Sequence, residues 1–330
     1  MMQRWSETLA GGSGSLLMAE MANEKVQVYE WWQIAFLALL ALLTVALAAG
    51  WYRYSIASGT LHRLGELYLW IAPVFGLALL GPIHERAGLG ILLAGVAAIH
   101  LAVIAAALWA LGGMAAFRVS PGPLASALLI LGSVIFWMGV VTWPGRRLER
   151  IAAHPADQWA TTVLFLLAAL TTLAGFAVLR TVLCESGDRI LSQLGLISFL
   201  VAIVCWVLHL AFRATVVLHA SEQIALTGAA PPWFEPLRAW AELMFDIYMV
   251  MAYLAIAAYG AAMRKTGWAG KAWGRAFVVF GLVAAVGFVA GLRAFHPPLV
   301  VQFAPYAMGM LILRRAAQRA TETRDAARAQ

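Results

Sequence analysis

Long stretches of this chain carry no charge, and that absence constrains the fold more than any motif does. Residues 87–117, 119–145 and 190–212 each lack Asp, Glu, Lys and Arg entirely. A helix needs about 20 mainly apolar residues to cross a hydrocarbon core of ~30 Å. A membrane barrel would show polar and apolar positions alternating over ten-residue strands, and these runs do not alternate. Backbone polar groups in lipid must be satisfied within the structure, so helices are the spanning solution that remains. The whole composition agrees: 63% hydrophobic and 12% charged, with mean hydropathy +0.82, against roughly 45–50% and about 25% in soluble domains.

The formal charge of +7 does not point to nucleic acid. The basic residues flank apolar runs, where they meet headgroups, and they form no stripe with interleaved aromatics. Cys205 lies inside an apolar run and Cys184 just beyond another, so neither a structural disulfide nor a thiolate cluster is expected.

The expected fold is an all-α polytopic transmembrane bundle of eight or nine spans. The candidates are residues 33–52, 67–83, 88–111, 124–143, 159–179, 190–212, 239–263, 276–292 and 298–313. The second, eighth and ninth are short enough to be re-entrant. A polar leader (1–31) with a Gly/Ser stretch precedes a single membrane domain (32–315), and a polar basic tail (316–330) follows. The leader lacks the pattern of a cleavable signal, and Met18 and Met21 are alternative starts. Trp31, Trp32, Trp51, Trp143, Trp159, Trp240 and Trp273 fall at span edges, where indoles sit at headgroup depth. Gly281, Ala284, Ala285, Gly287, Ala290 and Gly291 would let helix backbones approach closely.

With nine spans, one side holds Arg53, Arg63, Arg118, Arg180, Arg189, Arg264, Lys265, Lys271, Arg275 and the arginines after Leu313. The smaller set, including Arg146, Arg147, Arg150, Arg213, Arg238 and Arg293, faces the other way. The larger set should be cytoplasmic, which puts the C-terminus inside a bacterial-type inner (cell) membrane. The sixth helix has no proline from Ile190 to Gly228. It is expected to run past the membrane surface through Thr215 and His219 to about Leu226, ending at Gly228, Pro231 and Pro232.

Ionisable groups inside a span are costly and mark function by default. Glu242 and Asp246 are spaced i, i+4, so both carboxylates share one helix face, where they could store a proton or form half of a cation site. Their structural alternative is an ion pair with Arg213 or Arg293. His100 lies mid-span and His209 repeats its local context; with His219 they are candidates for haem or a divalent metal, or for hydrogen bonds between helices. Under the nine-span topology His84, His154, His209, His219 and His296 gather with the two carboxylates on the external side, and His62 alone is internal.

That gathering is similar to the zinc site of ceramidase-type membrane hydrolases. No H-x-x-x-H or H-E-x-x-H motif accompanies it, so no residue role carries over. Phosphate-loop, dinucleotide and nucleophile-elbow signatures are absent too. The stretch Pro231-Pro232-Trp233-Phe234-Glu235-Pro236, the span after it, the loop from Trp268 to Gly274 and the ending from Pro305 to Arg315 resemble uncharacterised bacterial multi-pass membrane proteins. The resemblance covers about the last third and implies no activity.

Three functions are consistent with these residues. The first is a carrier or channel component in which Glu242 and Asp246 bind a proton or cation and His100 lies along the path. The second is a haem- or metal-bearing redox subunit or enzyme using His209 with His100 or the carboxylates. The third is a scaffold within a membrane complex or homo-oligomer. The carboxylate pair ranks the carrier first.

Overall fold

The apolar runs fold as helices throughout the described part of the chain. The structure is a computed structural model that describes residues 121–329, apart from 142, 144, 146 and 154. The spans expected at 33–52, 67–83 and 88–111, together with His62, His84, His100 and His154, lie outside the described residues.

The elements are α1 (Pro121–Val141), α2 (Leu148–Ala153), α3 (Pro155–Glu185), α4 (Ile190–Phe212), a π turn (Arg213–Val217), α5 (Leu218–Thr227), α6 (Phe234–Thr266), α7 (Lys271–Val289), a 3₁₀ turn (Arg293–Phe295) and α8 (Pro298–Ala329). Among the described residues, four helices are long and apolar enough to cross a membrane: α3, the continuous rod Ile190–Thr227, α6 and α7. The apolar part of α1, Pro121–Trp137, is shorter. The sixth helix continues to Thr227 as its sequence predicts. Gly228 ends it at φ +73°, its N–H donating to the Ile224 carbonyl at 2.8 Å. The expected helix at 298–313 instead runs on to Ala329. The added residues, rich in Ala and Arg, favour continuation.

Contacts run α7–α6–α4–α3–α1–α8, and α8 closes back on α6. Successive long helices alternate in direction. The turns α3–α4 and α6–α7 therefore share one end (the Asp188 end), while α2, α5 and the start of α6 share the other (the Arg213 end). At the Asp188 end, Lys265 Nζ lies 3.2 Å from Asp188 Oδ1, and Trp268 Nε1 donates to Ser186 Oγ at 2.9 Å. At the Arg213 end, Ile151, Phe212, Leu218, Phe234 and Ala241 form a small separate core beneath α2 and α5.

Helices in lipid gain little from burying apolar surface against one another, so close packing and hydrogen bonds must join them. A run of rings does this across four helices. Phe136 of α1 contacts Phe165 of α3 at 4.7 Å between centroids; Phe165 contacts Trp206 of α4 at 5.6 Å, and Trp206 contacts Tyr248 of α6 at 4.6 Å. Trp137 extends the run to Phe303 and Tyr306 of α8, both at 5.3 Å. Tyr259 donates to the Phe176 carbonyl at 2.9 Å, and Ser126 to the Gly309 carbonyl at 2.7 Å. Gly281 sets the approach of α7 to α6, because a Cβ there would sit 2.5 Å from the Tyr253 carbonyl oxygen. Both cysteines are free thiols.

Candidate functional site: a carboxylate beside the α7–α8 connection

Tryptophans mark two levels of the bundle. Arg213 stacks over Trp143 at 5.0 Å and donates to Gln158 Oε1 at 3.2 Å, beside Trp159. One turn earlier on α4, His209 Nδ1 lies 3.0 Å from the Ala241 carbonyl, beside Trp240. Trp143, Trp159 and Trp240 thus share one level. At the other end, Gly274 packs on the Arg264 stem, which places Trp273 beside Arg264. From Trp240 to Arg264 helix α6 rises about 36 Å at 1.5 Å per residue. A hydrocarbon core of ~30 Å centred between these levels begins near Glu242 and leaves Asp246 about 6 Å inside.

The carboxylates therefore differ. Glu242 accepts from Arg238 Nε at 3.0 Å, and Arg238 also donates to Glu235 Oε1 at 3.2 Å. The ladder Glu235–Arg238–Glu242 lies on one helix face and gives Glu242 a partner besides the expected Arg213 and Arg293. The guanidinium beside Glu242 belongs to its own i−4 neighbour, and Arg213 contacts Gln158 and Trp143. Arg293 opens the 3₁₀ turn, and its side chain lies outside the described ones. Asp246, one turn deeper, is exposed on the same face, and its titratable neighbours are His296 and Glu242.

His296 comes near Asp246 because α7 stops early. Gly281 lies against Tyr253 and Ala257, so Val289, eight residues on, falls opposite 245–249 on the antiparallel α6. The 6.4 Å separation of the Phe245 and Phe288 rings agrees. Helix α7 ends there in a Schellman motif. Gly291 takes φ +77°, its N–H donating to the Phe288 carbonyl at 2.9 Å, and the Leu292 N–H donates to the Gly287 carbonyl at 2.8 Å. The connection to α8 thus runs at the depth of Asp246, well below Trp240.

Unwound backbone at that depth persists only where protein groups satisfy it or a polar cavity adjoins it. Tyr253 donates to the Phe295 carbonyl at 2.9 Å, and His296 Nδ1 donates to the Leu292 carbonyl at 3.0 Å. The second bond engages Nδ1 and leaves Nε2 as the outer ring nitrogen. The His296 ring packs on Phe288 at 4.6 Å.

The remaining histidines serve structure where described. The His209 ring stacks on Trp206 at 5.5 Å while it bridges α4 to Ala241 of α6. His219 stacks on Trp233 at 5.7 Å and lies 3.7 Å from Glu222. His209, His219 and His296 do share an end with the two carboxylates. Yet no group of three or more His, Cys, Asp or Glu side chains among the described residues could hold a metal ion. Two partners escaped the sequence reading. Arg238 was legible from the E-x-x-R-x-x-x-E spacing, whereas the nearness of His296 to Asp246 has no local signal.

No family model matches the chain, and neither a curated protein nor a solved structure matches it.

Proposed function

We propose that this chain is a component of a proton- or cation-linked carrier in a bacterial-type cell membrane, and that Asp246 is the group that takes up and releases the proton. The single observation behind the reading is the place of Asp246: inside the hydrocarbon zone, one turn below the Arg238–Glu242 pair, near His296 on the turn that joins α7 to α8. Unwound backbone inside a membrane protein is tolerated where it lines a polar cavity, and transporters use such backbone to bind substrate and coupling ions. One carboxylate with one imidazole suits a proton better than a divalent cation, which needs six or more oxygen ligands. Glu242, neutralised by Arg238, anchors the helix at the interface and leaves proton exchange to Asp246. His296, through Nε2, passes the proton between Asp246 and water at the Arg213 end.

The finer topology belongs to the same reading: eight or nine spans in all, with the arginine-rich Asp188 end in the cytoplasm and Asp246 in the outer half of the membrane. Everted vesicles carrying the full chain and acidified inside test it. Adding Na⁺, K⁺ or Mg²⁺ is expected to discharge the pH gradient for at least one ion, and Asp246→Asn to abolish that response. A response that survives in Asp246→Asn contradicts the proposed role.

A further inference from the structure

At the Asp188 end, three cations converge on one corner. The stem of Arg264 lies across Gly274, whose absent side chain makes the room: a Cβ there would stand 2.4 Å from Arg264 Cβ. Lys271, three residues before Gly274, and Arg275, one after, flank that crossing. All three residues are exposed, and among the described residues none forms an ion pair with a carboxylate. The nearest acid of the turns, Asp188, is engaged by Lys265.

Below this corner the same face of α7 turns apolar. Lys271 and Arg275 continue at helical spacing into Val279, Leu282 and Val286, of which Val279 and Val286 are 59% and 69% exposed. Cations at headgroup depth above an uncovered aliphatic stripe match both ends of one molecule. We infer that the α6–α7 corner is a binding site for an anionic phospholipid. Its phosphate sits among Arg264, Lys271 and Arg275, and an acyl chain lies along Val279, Leu282 and Val286. Inorganic phosphate shares the headgroup chemistry but has nothing to place on the stripe, so the lipid is the occupant.

The test uses the purified full chain in neutral detergent, titrated with phosphatidylglycerol, phosphatidylcholine or inorganic phosphate while thermal melting is followed. Phosphatidylglycerol is expected to raise the melting temperature saturably, and the other two are not. Each of Lys271→Gln and Arg275→Gln should weaken half-saturation about fivefold, as a basic group near an anionic surface contributes. The pair Arg147→Gln/Arg150→Gln, at the opposite end, should leave it unchanged. Both single variants alter exposed side chains and so preserve folding; native mass spectrometry counts bound lipid independently. An equal rise in the Lys271 and Arg275 variants, or with inorganic phosphate, would overturn the inference.

Discussion

Asp246 and Asp188 show how the same side chain serves two ends. Asp188 is buried in the α3–α4 turn. Burial by itself would raise its carboxyl, but the Ser192 backbone N–H at 2.8 Å, Lys265 and the Ser192 hydroxyl outweigh that and hold it below the ordinary value of 3.8. A carboxyl held low in the folded state stabilises fully above its unfolded pKa. That stabilisation fades as the pH falls through the lower folded value. Asp188→Ala removes the bond to the first turn of α4 as well as the ion pair, and is expected to cost about 2 kcal/mol, most of it from the buried bond since Lys265 is half in solvent. Asp188→Asn keeps an acceptor for Ser192 and should cost about half as much. Melting curves from pH 7 down to 3 check both, and the difference between wild type and Asp188→Asn should shrink at the acid end. The sequence showed that Glu242 and Asp246 share a face. It did not separate their roles, because the reader must also weigh Arg238 against more distant arginines.

Among the elements, α7 does most to shape the site. Of its small residues expected to form a packing face, Gly281, Ala284, Ala285 and Gly287 are buried, whereas Ala290 and Gly291 are exposed in the turn that ends the helix. What the buried ones accomplish was not legible. They hold α7 in a register that ends it at the depth of Asp246, and register depends on the partner helix. Gly281→Val would drive a side chain into the Tyr253 carbonyl and the Ala257 backbone N, neither of which can yield cheaply. It is expected to destabilise by about 3 kcal/mol, at the upper end of overpacking costs, and to lower the melting temperature in detergent. Gly270→Ala, where a Cβ meets nothing within 4 Å, should melt close to wild type. The rod from α4 to α5 gives the opposite lesson. Its extension and its stop at Gly228 were readable from local residues, but the π turn at Arg213–Val217 was not. That turn is fastened from another helix by Gln158, whose Nε2 donates to the Arg213 carbonyl at 3.4 Å.

For the whole molecule, lipid as solvent followed from composition, and helix ends followed from charges, prolines and tryptophans. The depth of the α7–α8 connection, and with it the meeting of Asp246 and His296, depended on packing between elements far apart in sequence. Basic residues concentrate at the Asp188 end, where Arg319 of α8 also stacks over Trp268 at 4.2 Å. A C-terminal alkaline phosphatase fusion is therefore expected to be inactive in cells and a fluorescent-protein fusion bright; the reverse pattern would invert the topology. The account turns on Asp246 as the proton-binding group. Infrared difference spectra of the full chain in lipid, recorded across a pH jump, test that most directly. The account predicts a protonated-carboxyl carbonyl band that vanishes in Asp246→Asn and persists in Glu242→Gln. A band unchanged in Asp246→Asn, or lost only in Glu242→Gln, would contradict it.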